Sequence, residues 1–387
     1  MELQIDRLSD LPENVIETIL INLPIRDAVR TSVLSHKWMY KWTTIPELVI
    51  HDYSIPPAED EIVRIDKLVN FIDRLLLLHK GPVRKFDLST GFLIDSSIDS
   101  WIRFLSRNEV KELSLQFQGE KPYKVPYSLF YCQAITCLNL SSCILKPPSV
   151  FEGFSVLKSL NLKYVILFDD EDLETLISNC IALERLRLIE LVGCTHIKIR
   201  GLNLQHFYFS GELTDICFID APKLSFVSIS IHNSHFEQVG QGESSNLIEV
   251  LGSLTGLEKL TIEWYFTQVI QLYENFSFLV FSYFLEFYLI SYEDVATELV
   301  EDFWEAQGHL DCSMNHLRVV RAYDIGGARP ELQFIKFLLV HSPVLETLNV
   351  TPRSGKNIDK MTMLEELLRF RRASASAEII HNRTSED

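Results

Sequence analysis

Hydrophobic positions in the first 45 residues recur at helical intervals. Val15, Ile16, Ile19, Leu20 and Leu23 fall at offsets 0, 1, 4, 5 and 8, the spacing of one helix face. Pro12 suits the first turn of that helix, where a missing N–H removes no intrahelical bond. Pro24 ends it and fits the start of the next. Ala28, Val29, Val33 and Leu34 continue an apolar face, and Trp38 and Trp42, one turn apart, predict a third short helix. About 35 residues in three short helices fall below the ~40-residue size at which chains fold unaided. The apolar surface therefore either packs onto the rest of the chain or is kept for a partner.

From residue 83 the period changes. An apolar residue, two others, an apolar residue, one other and an apolar residue recur, first at Val83, Phe86 and Leu88. The same spacing starts again at Val110, Ile135, Leu157, Leu183, Leu204, Leu224, Leu257, Phe284 and Leu345, with a weaker copy at Leu317, Val320 and Ala322. Unbroken neighbours start 20 to 33 residues apart. A short strand at that period is the signature of leucine-rich repeats, whose stacked strands form a curved parallel sheet. Helical spacing just before strands, at Leu173–Cys180 and Leu332–His341, predicts helical returns, and Ile62–Leu78 predicts a linking helix after Pro56 and Pro57. The repeats are irregular. The position of the usual buried Asn or Cys holds Cys143 in the Ile135 copy, but Val165 and Leu191 in the next two, so other polar pairings are expected there.

The first segment resembles an F-box: Leu11, Pro12, Ile19, Leu20, Leu23, Pro24, Asp27, Ser35, Trp38 and Trp42 occur in order. The resemblance implies docking onto a Skp1-type adaptor of a cullin-RING ubiquitin ligase, with Leu11, Pro12, Ile16, Ile19, Leu20, Leu23, Pro24, Trp38 and Trp42 as adaptor-contact candidates. Asp27 and Ser35 are expected to cap or pin the helices. A second resemblance covers roughly residues 300–380. Trp304, Cys312, Leu317–Val320, Gly326-Gly327, Glu331-Leu332, Phe334–Leu339, Pro343–Glu346 and Arg369–Ser374 follow in the order of the FBD region of plant F-box/leucine-rich-repeat proteins. The expected organisation is an F-box at 6–45, a helical linker at 46–82, repeats at 83–299, an FBD region continuing the solenoid at 300–380 and a flexible tail at 381–387. The fold class is α/β: a short three-helix F-box, then an irregular leucine-rich-repeat solenoid with a curved, mostly parallel sheet and helical returns.

Charge narrows the partners. The chain of 387 residues carries 36 basic and 53 acidic side chains, net −17, and the first 45 residues hold five and six of them. Nearly all of the acidic excess therefore lies further along the chain, and a strongly acidic surface repels nucleic-acid phosphates and anionic membrane surfaces. Neither is an expected partner. The N-terminus shows no basic start or apolar core of a secretory signal. The seven cysteines are odd in number and lack a C-x-x-C pair, so they read as reduced thiols of a cytoplasmic or nuclear protein.

Catalytic signatures are thin. There is no G-x-x-x-x-G-K and no G-x-S-x-G. His232 and His235 have no further ligands at zinc-site spacing, and Asp169-Asp170-Glu171-Asp172 fits favourable charge at a helix start. No cofactor or metal is expected. Arg371-Arg372-Ala373-Ser374 has the form of a basophilic kinase site. The leading expectation is a non-catalytic, substrate-recognition subunit of an SCF-type ubiquitin ligase whose repeats hold a protein target. An interaction scaffold that binds the adaptor without directing degradation remains open. Alternation turns Lys158, Ser159, Asn161, Glu184, Arg185 and Arg187 to solvent, but names no target.

Overall fold

A computed structural model describes residues 11–56, 60–92, 94, 97–118, 121–194, 196–212, 215–231, 254, 256–263, 314–327, 329–353 and 360–381. The expected repeat at Phe284, the His232/His235 pair, Trp304, Cys312 and residues 382–387 of the tail lie outside them. The fold is mixed α/β, and its chain divides into two compact units. One takes the chain to Phe168 with Asn179–Leu183; the other takes Asp169–Ser178 and the chain from Glu184.

In the first unit, α1 (Glu13–Ile21) and α2 (Ile25–Arg30) precede strand β1 (Glu47–His51) and helix α3 (Glu61–Leu78). Strand β2 (Lys85–Thr90), helix α4 (Ile98–Arg107) and strands β3 (Glu112–Phe117), β4 (Tyr123–Lys124), β5 (Cys137–Ile144) and β6 (Ser159–Ile166) follow. All pairings are parallel, in the order β1-β2-β3-β5-β6, with β4 alongside the end of β5. The predicted linking helix is α3, capped by Asp60, whose carboxylate accepts the Ile62 N–H at 2.8 Å. The 46–82 segment is more than a helical linker, because it also supplies β1. Ile45, Leu48 and Ile50 have the repeat spacing and are buried, so the first strand of the sheet begins at the end of the F-box segment.

The repeat residues align in layers. Phe86 pairs with Leu113, Leu113 with Leu138 and Leu138 with Leu160, while Leu88, Leu115, Leu140 and Leu162 form the next row. All are buried, so each strand completes its core only by stacking on its neighbours. Gly153, in the loop before β6, has φ of 95°, and a Cβ there would lie 1.8 Å from the Asn179 carbonyl oxygen. Only glycine combines that backbone angle with so close an approach.

The second unit holds α5 (Asp170–Ser178), β7 (Arg185–Ile189), β8 (His196–Arg200), β9 (His206–Gly211), β10 (Asp215–Asp220), β11 (Phe226–Ile231) and β12 (Lys259–Glu263). It continues with β13 (Val319–Ile325), α6 (Arg329–His341), β14 (Thr347–Pro352), α7 (Lys360–Arg369) and β15 (Glu378–His381). Its main sheet is parallel in the order β7-β9-β11-β12-β13-β14-β15; β8 and β10 pair separately. Leu186, Phe207, Val227, Leu260, Val320 and Leu348 form one buried row. Leu317, Val320 and Ala322, the weaker sequence match, are as buried as any other copy, with Ala322 between Ile262 and Val350. The expected helical returns are α5 and α6. Asp169 accepts the Asp172 N–H at 2.9 Å, as an acidic residue at a helix start should.

The missing Asn/Cys ladder is replaced by two backbone devices. The carbonyls of Pro46, Arg84, Lys111 and Thr136 each accept two N–H groups from the start of the following strand, at 2.7–3.1 Å. Glu184, Gln205, Ser225, Glu258 and Arg318 do the same in the second unit, at 2.8–3.1 Å. Further along the repeats, Ser142, Tyr164, Glu190 and Asp324 adopt left-handed angles (φ 49–56°). That turn brings the next residue, Cys143, Val165, Leu191 or Ile325, back into the core. The position is thus filled by apolar side chains, while the polar pairing is carried by main chain.

Candidate functional site

Both Leu-Pro pairs build the same helix start. Pro12 and Pro24 have extended ψ angles of 149° and 139°. The Pro12 carbonyl accepts the N–H groups of Val15 and Ile16 at 3.1 Å, and that of Pro24 accepts those of Asp27 (2.8 Å) and Ala28 (3.0 Å). Lys37 Nζ donates to the Leu11 carbonyl at 2.6 Å, tying the first pair to the later turn. Lys41 pairs with Glu13, and this hydrogen bond and charge hold the Glu13 carboxyl below its ordinary range. The link is present at neutral pH and is lost as acid protonates Glu13.

The predicted third helix is not continuous. Ser35 accepts the N–H groups of Trp38 and Met39 at 3.1 Å in a turn, Tyr40 takes a left-handed φ of 62°, and a 3-10 turn covers Lys41–Thr44. Tyr40 thus resets the chain so that Trp38 and Trp42 both enter the core, at 2% and 3% exposure. The expected contact residues therefore divide. Ile16, Leu20, Trp38 and Trp42 are closed inside the chain; Leu11, Ile19 and Leu23 are half-buried; Pro12 and Pro24 are exposed. Helix α1 packs on the Lys41–Thr44 turn and α2 on β1. Asp27 is exposed, 3.8 Å from Arg30.

A different apolar set faces solvent: Val33 (86% exposed), Ile21 (55%), Tyr40 (51%), Leu34 (49%), with Val15 and Met39. Sequence reasoning placed Val33 and Leu34 on the face begun by Ala28 and Val29. The α-helix ends at Arg30, however, and the tighter Thr31–Val33 turn rotates both residues outward. The signal that could have found them was the length of α2, which six residues fix and periodicity does not.

The main sheet of the second unit presents another candidate surface. Between the buried rows, β7 carries Arg185 and Arg187, β9 His206 and Tyr208, β11 Phe226 and Ser228, β12 Lys259 and Thr261, and β13 Arg321. The Arg187 guanidinium lies 4.4 Å from the Tyr208 ring centroid, and the His206 and Phe226 rings stack at 4.5 Å with 1° between planes. Partial burial, then the nearby Arg185 charge, push His206 toward its neutral form. Lys158, Arg185 and Arg187 are exposed, and Ser159, Asn161 and Glu184 half-buried.

Nucleophilic chemistry is poorly served. Burial pushes the thiols of Cys132 and Cys180 up to about 11 and that of Cys143 up to about 12. Cys194 is raised further by burial and by its hydrogen bond with Asp170, which also lies 3.5 Å from His196. A buried thiol held protonated by a carboxylate is no nucleophile at neutral pH. Iodoacetamide at pH 8 should therefore label the partly exposed Cys137 and Cys217 well before these four, as peptide mass spectrometry would read. Cys143 among the first labelled would contradict this packing. Ser374 of the kinase-like motif is buried and donates to the Leu345 carbonyl at 2.6 Å, so, contrary to the sequence expectation, a kinase has no access to it. Among the described residues, no group of three or more His, Cys, Asp or Glu side chains could hold a metal ion, and no helix is long and apolar enough to cross a membrane.

Three known protein families match successive parts of the chain. The F-box domain family matches residues 8–48, the LRR repeats described for FBD-associated F-box protein At5g56370 match 98–273, and FBD matches 307–350. The chain is 39% identical to F-box/FBD/LRR-repeat protein At1g13570 of Arabidopsis thaliana, over 97% of this chain and 98% of that protein. F-box/FBD/LRR-repeat protein At5g56420 of the same plant is 27% identical over the same shares. The chain belongs to the family of F-box/FBD/LRR-repeat proteins.

Proposed function

We propose that this chain is the substrate-recognition subunit of an SCF-type ubiquitin ligase. Its F-box docks a Skp1-type adaptor, and through it a cullin-RING assembly, while the repeats bind a protein target. F-box/LRR proteins are generally non-catalytic adaptor subunits, and no catalytic domain is indicated here. On this reading the chain positions a target near activated ubiquitin and raises its effective concentration there. It would work in the cytoplasm or nucleus.

The observation that carries the proposal is the exposed apolar set at Val15, Ile21, Val33, Leu34, Met39 and Tyr40, within the segment matched by the F-box family. The buried members of the motif hold these residues in place. Pro12 and Pro24 lie at the same helix starts and remain exposed.

The test is a pull-down of purified chain with a plant Skp1-type adaptor, wild type beside Leu11→Ala with Pro12→Ala. Capture by the wild type and loss in the double variant, with far-UV circular dichroism unchanged, is the expected result. Capture that survives the change would move the contact away from the Leu-Pro start. No capture by either chain would leave residues 8–48 as a structural cap of the sheet.

A further inference from the structure

Arg185, Arg187, Lys259 and Arg321 give the β7–β13 part of the second unit's main sheet four positive charges at outward positions, although the chain carries a net charge of −17. Arg185 and Arg187 on β7, Lys259 on β12 and Arg321 on β13 stand at outward positions, with His206, Tyr208, Phe226, Ser228 and Thr261 between them. Acidic residues sit around this face. Glu184, Glu258 and Glu346 occupy the row just before the strands, where Arg318 offsets Glu346 at 3.1 Å. Among the described residues, the outward strand positions of β7, β9 and β11 and the Lys259, Thr261 and Arg321 positions bear no carboxylate.

We infer that this face docks an extended acidic peptide segment of the target protein, held by Arg187 and Arg185 at one end and by Lys259 and Arg321 at the other. The inference rests on the receptor reading above and names the chemistry of its ligand. Strand order sets the spacing. The path β7-β9-β11-β12 spans three strand separations, about 14 Å, and β13 adds about 5 Å more. An extended chain advances about 3.3 Å per residue, so carboxylates roughly four to six residues apart reach both cationic ends. Arg187, stacked on Tyr208, is pre-set to present its guanidinium edge to a carboxylate. The aromatic and hydroxyl positions between suit the peptide's backbone and uncharged side chains. A long polyanion such as nucleic acid would overrun the patch onto acidic surface, whereas a short segment would not.

The test is fluorescence polarisation of the full chain with a labelled octapeptide carrying two glutamates at each end and four serines between, which sets carboxylates five to seven residues apart. Comparison probes replace the glutamates by glutamines or supply a ten-nucleotide thymidine strand. Arg187→Glu with Lys259→Glu is expected to weaken glutamate-peptide binding at least tenfold, and Arg187→Gln with Lys259→Gln several-fold. Lys198→Glu, on the separate β8–β10 pair, should change it less than twofold. Unchanged melting curves would confirm that the variants fold. Equal binding of the glutamine peptide, indifference to the Arg187/Lys259 changes, or no binding at all would overturn the assignment. Preference for the thymidine strand would replace it with a nucleic-acid site. Adaptor capture by the same preparations separates the two readings. Peptide binding without capture would sink the ligase proposal alone, and capture without peptide binding would sink the acidic-segment site alone.

Discussion

Aspartates at positions 33 and 34 are expected to lower affinity for a Skp1-type adaptor at least ~100-fold while leaving the chain folded. Val33 and Leu34 are exposed and lie beyond the last turn of α2, so charge there disturbs no internal packing. Full burial of such a side chain is worth about 1.5–3 kcal/mol, so the exposed parts of Val33 (86%) and Leu34 (49%) together account for roughly 2–4 kcal/mol in a docked complex. With the added desolvation of two new carboxylates, the loss passes the ~2.8 kcal/mol that corresponds to a factor of 100. Isothermal titration with purified adaptor reads the loss, and a melting curve of the same protein reads the fold. Trp38→Ala is the informative contrast. That ring is already buried within the chain, so its removal should register first as reduced stability. Wild-type affinity in the Val33→Asp/Leu34→Asp chain would show that adaptor docking, if present, uses another surface.

Leu138→Ala should destabilise the first unit by about 2–5 kcal/mol, the range for emptying a buried leucine site. Leu138 lies between Leu113 on β3 and Leu160 on β6, all closed to solvent. Stacked repeats are stable chiefly through contacts with their neighbours, so one cavity weakens both interfaces. Glu112→Ala, at an exposed position of β3 about 4.0 Å from Lys85, should cost at most about 1 kcal/mol. Urea titration followed by tryptophan fluorescence and circular dichroism would compare the two. Similar losses for both would mean that the buried rows are not what holds the strands together.

The repeat strands were legible because their rule is local. A strand that buries one face must place apolar side chains at fixed intervals, and the repeat copies from Val83-Phe86-Leu88 to Leu345-Leu348-Val350 that fall on described residues are all buried. Even Ile45-Leu48-Ile50 carried the signal, masked by its position behind the F-box motif. The apolar stripe of α1 and the two proline-started helices were legible for the same reason. The face residues Arg185 and Arg187 were readable as solvent-facing by alternation alone.

The division of the F-box surface was not legible. Periodicity says that Ile16, Leu20, Val33, Leu34, Trp38 and Trp42 are apolar, but not which meet the chain's own sheet and which are left for a partner. That depends on α2 ending at Arg30 and on the left-handed turn at Tyr40, in a module whose α2 packs on β1 and whose α1 packs on the Lys41–Thr44 turn. The cationic face likewise needed the sheet. Arg187, Lys259 and Arg321 are distant in sequence, and only strand order brings them onto one surface. By itself the sequence determined the element types, the repeat period and the inward rows, because each follows from burying one side of a short segment. The tertiary structure alone decided which apolar and charged residues remain at the surface together, because that depends on contacts between segments that no local spacing records.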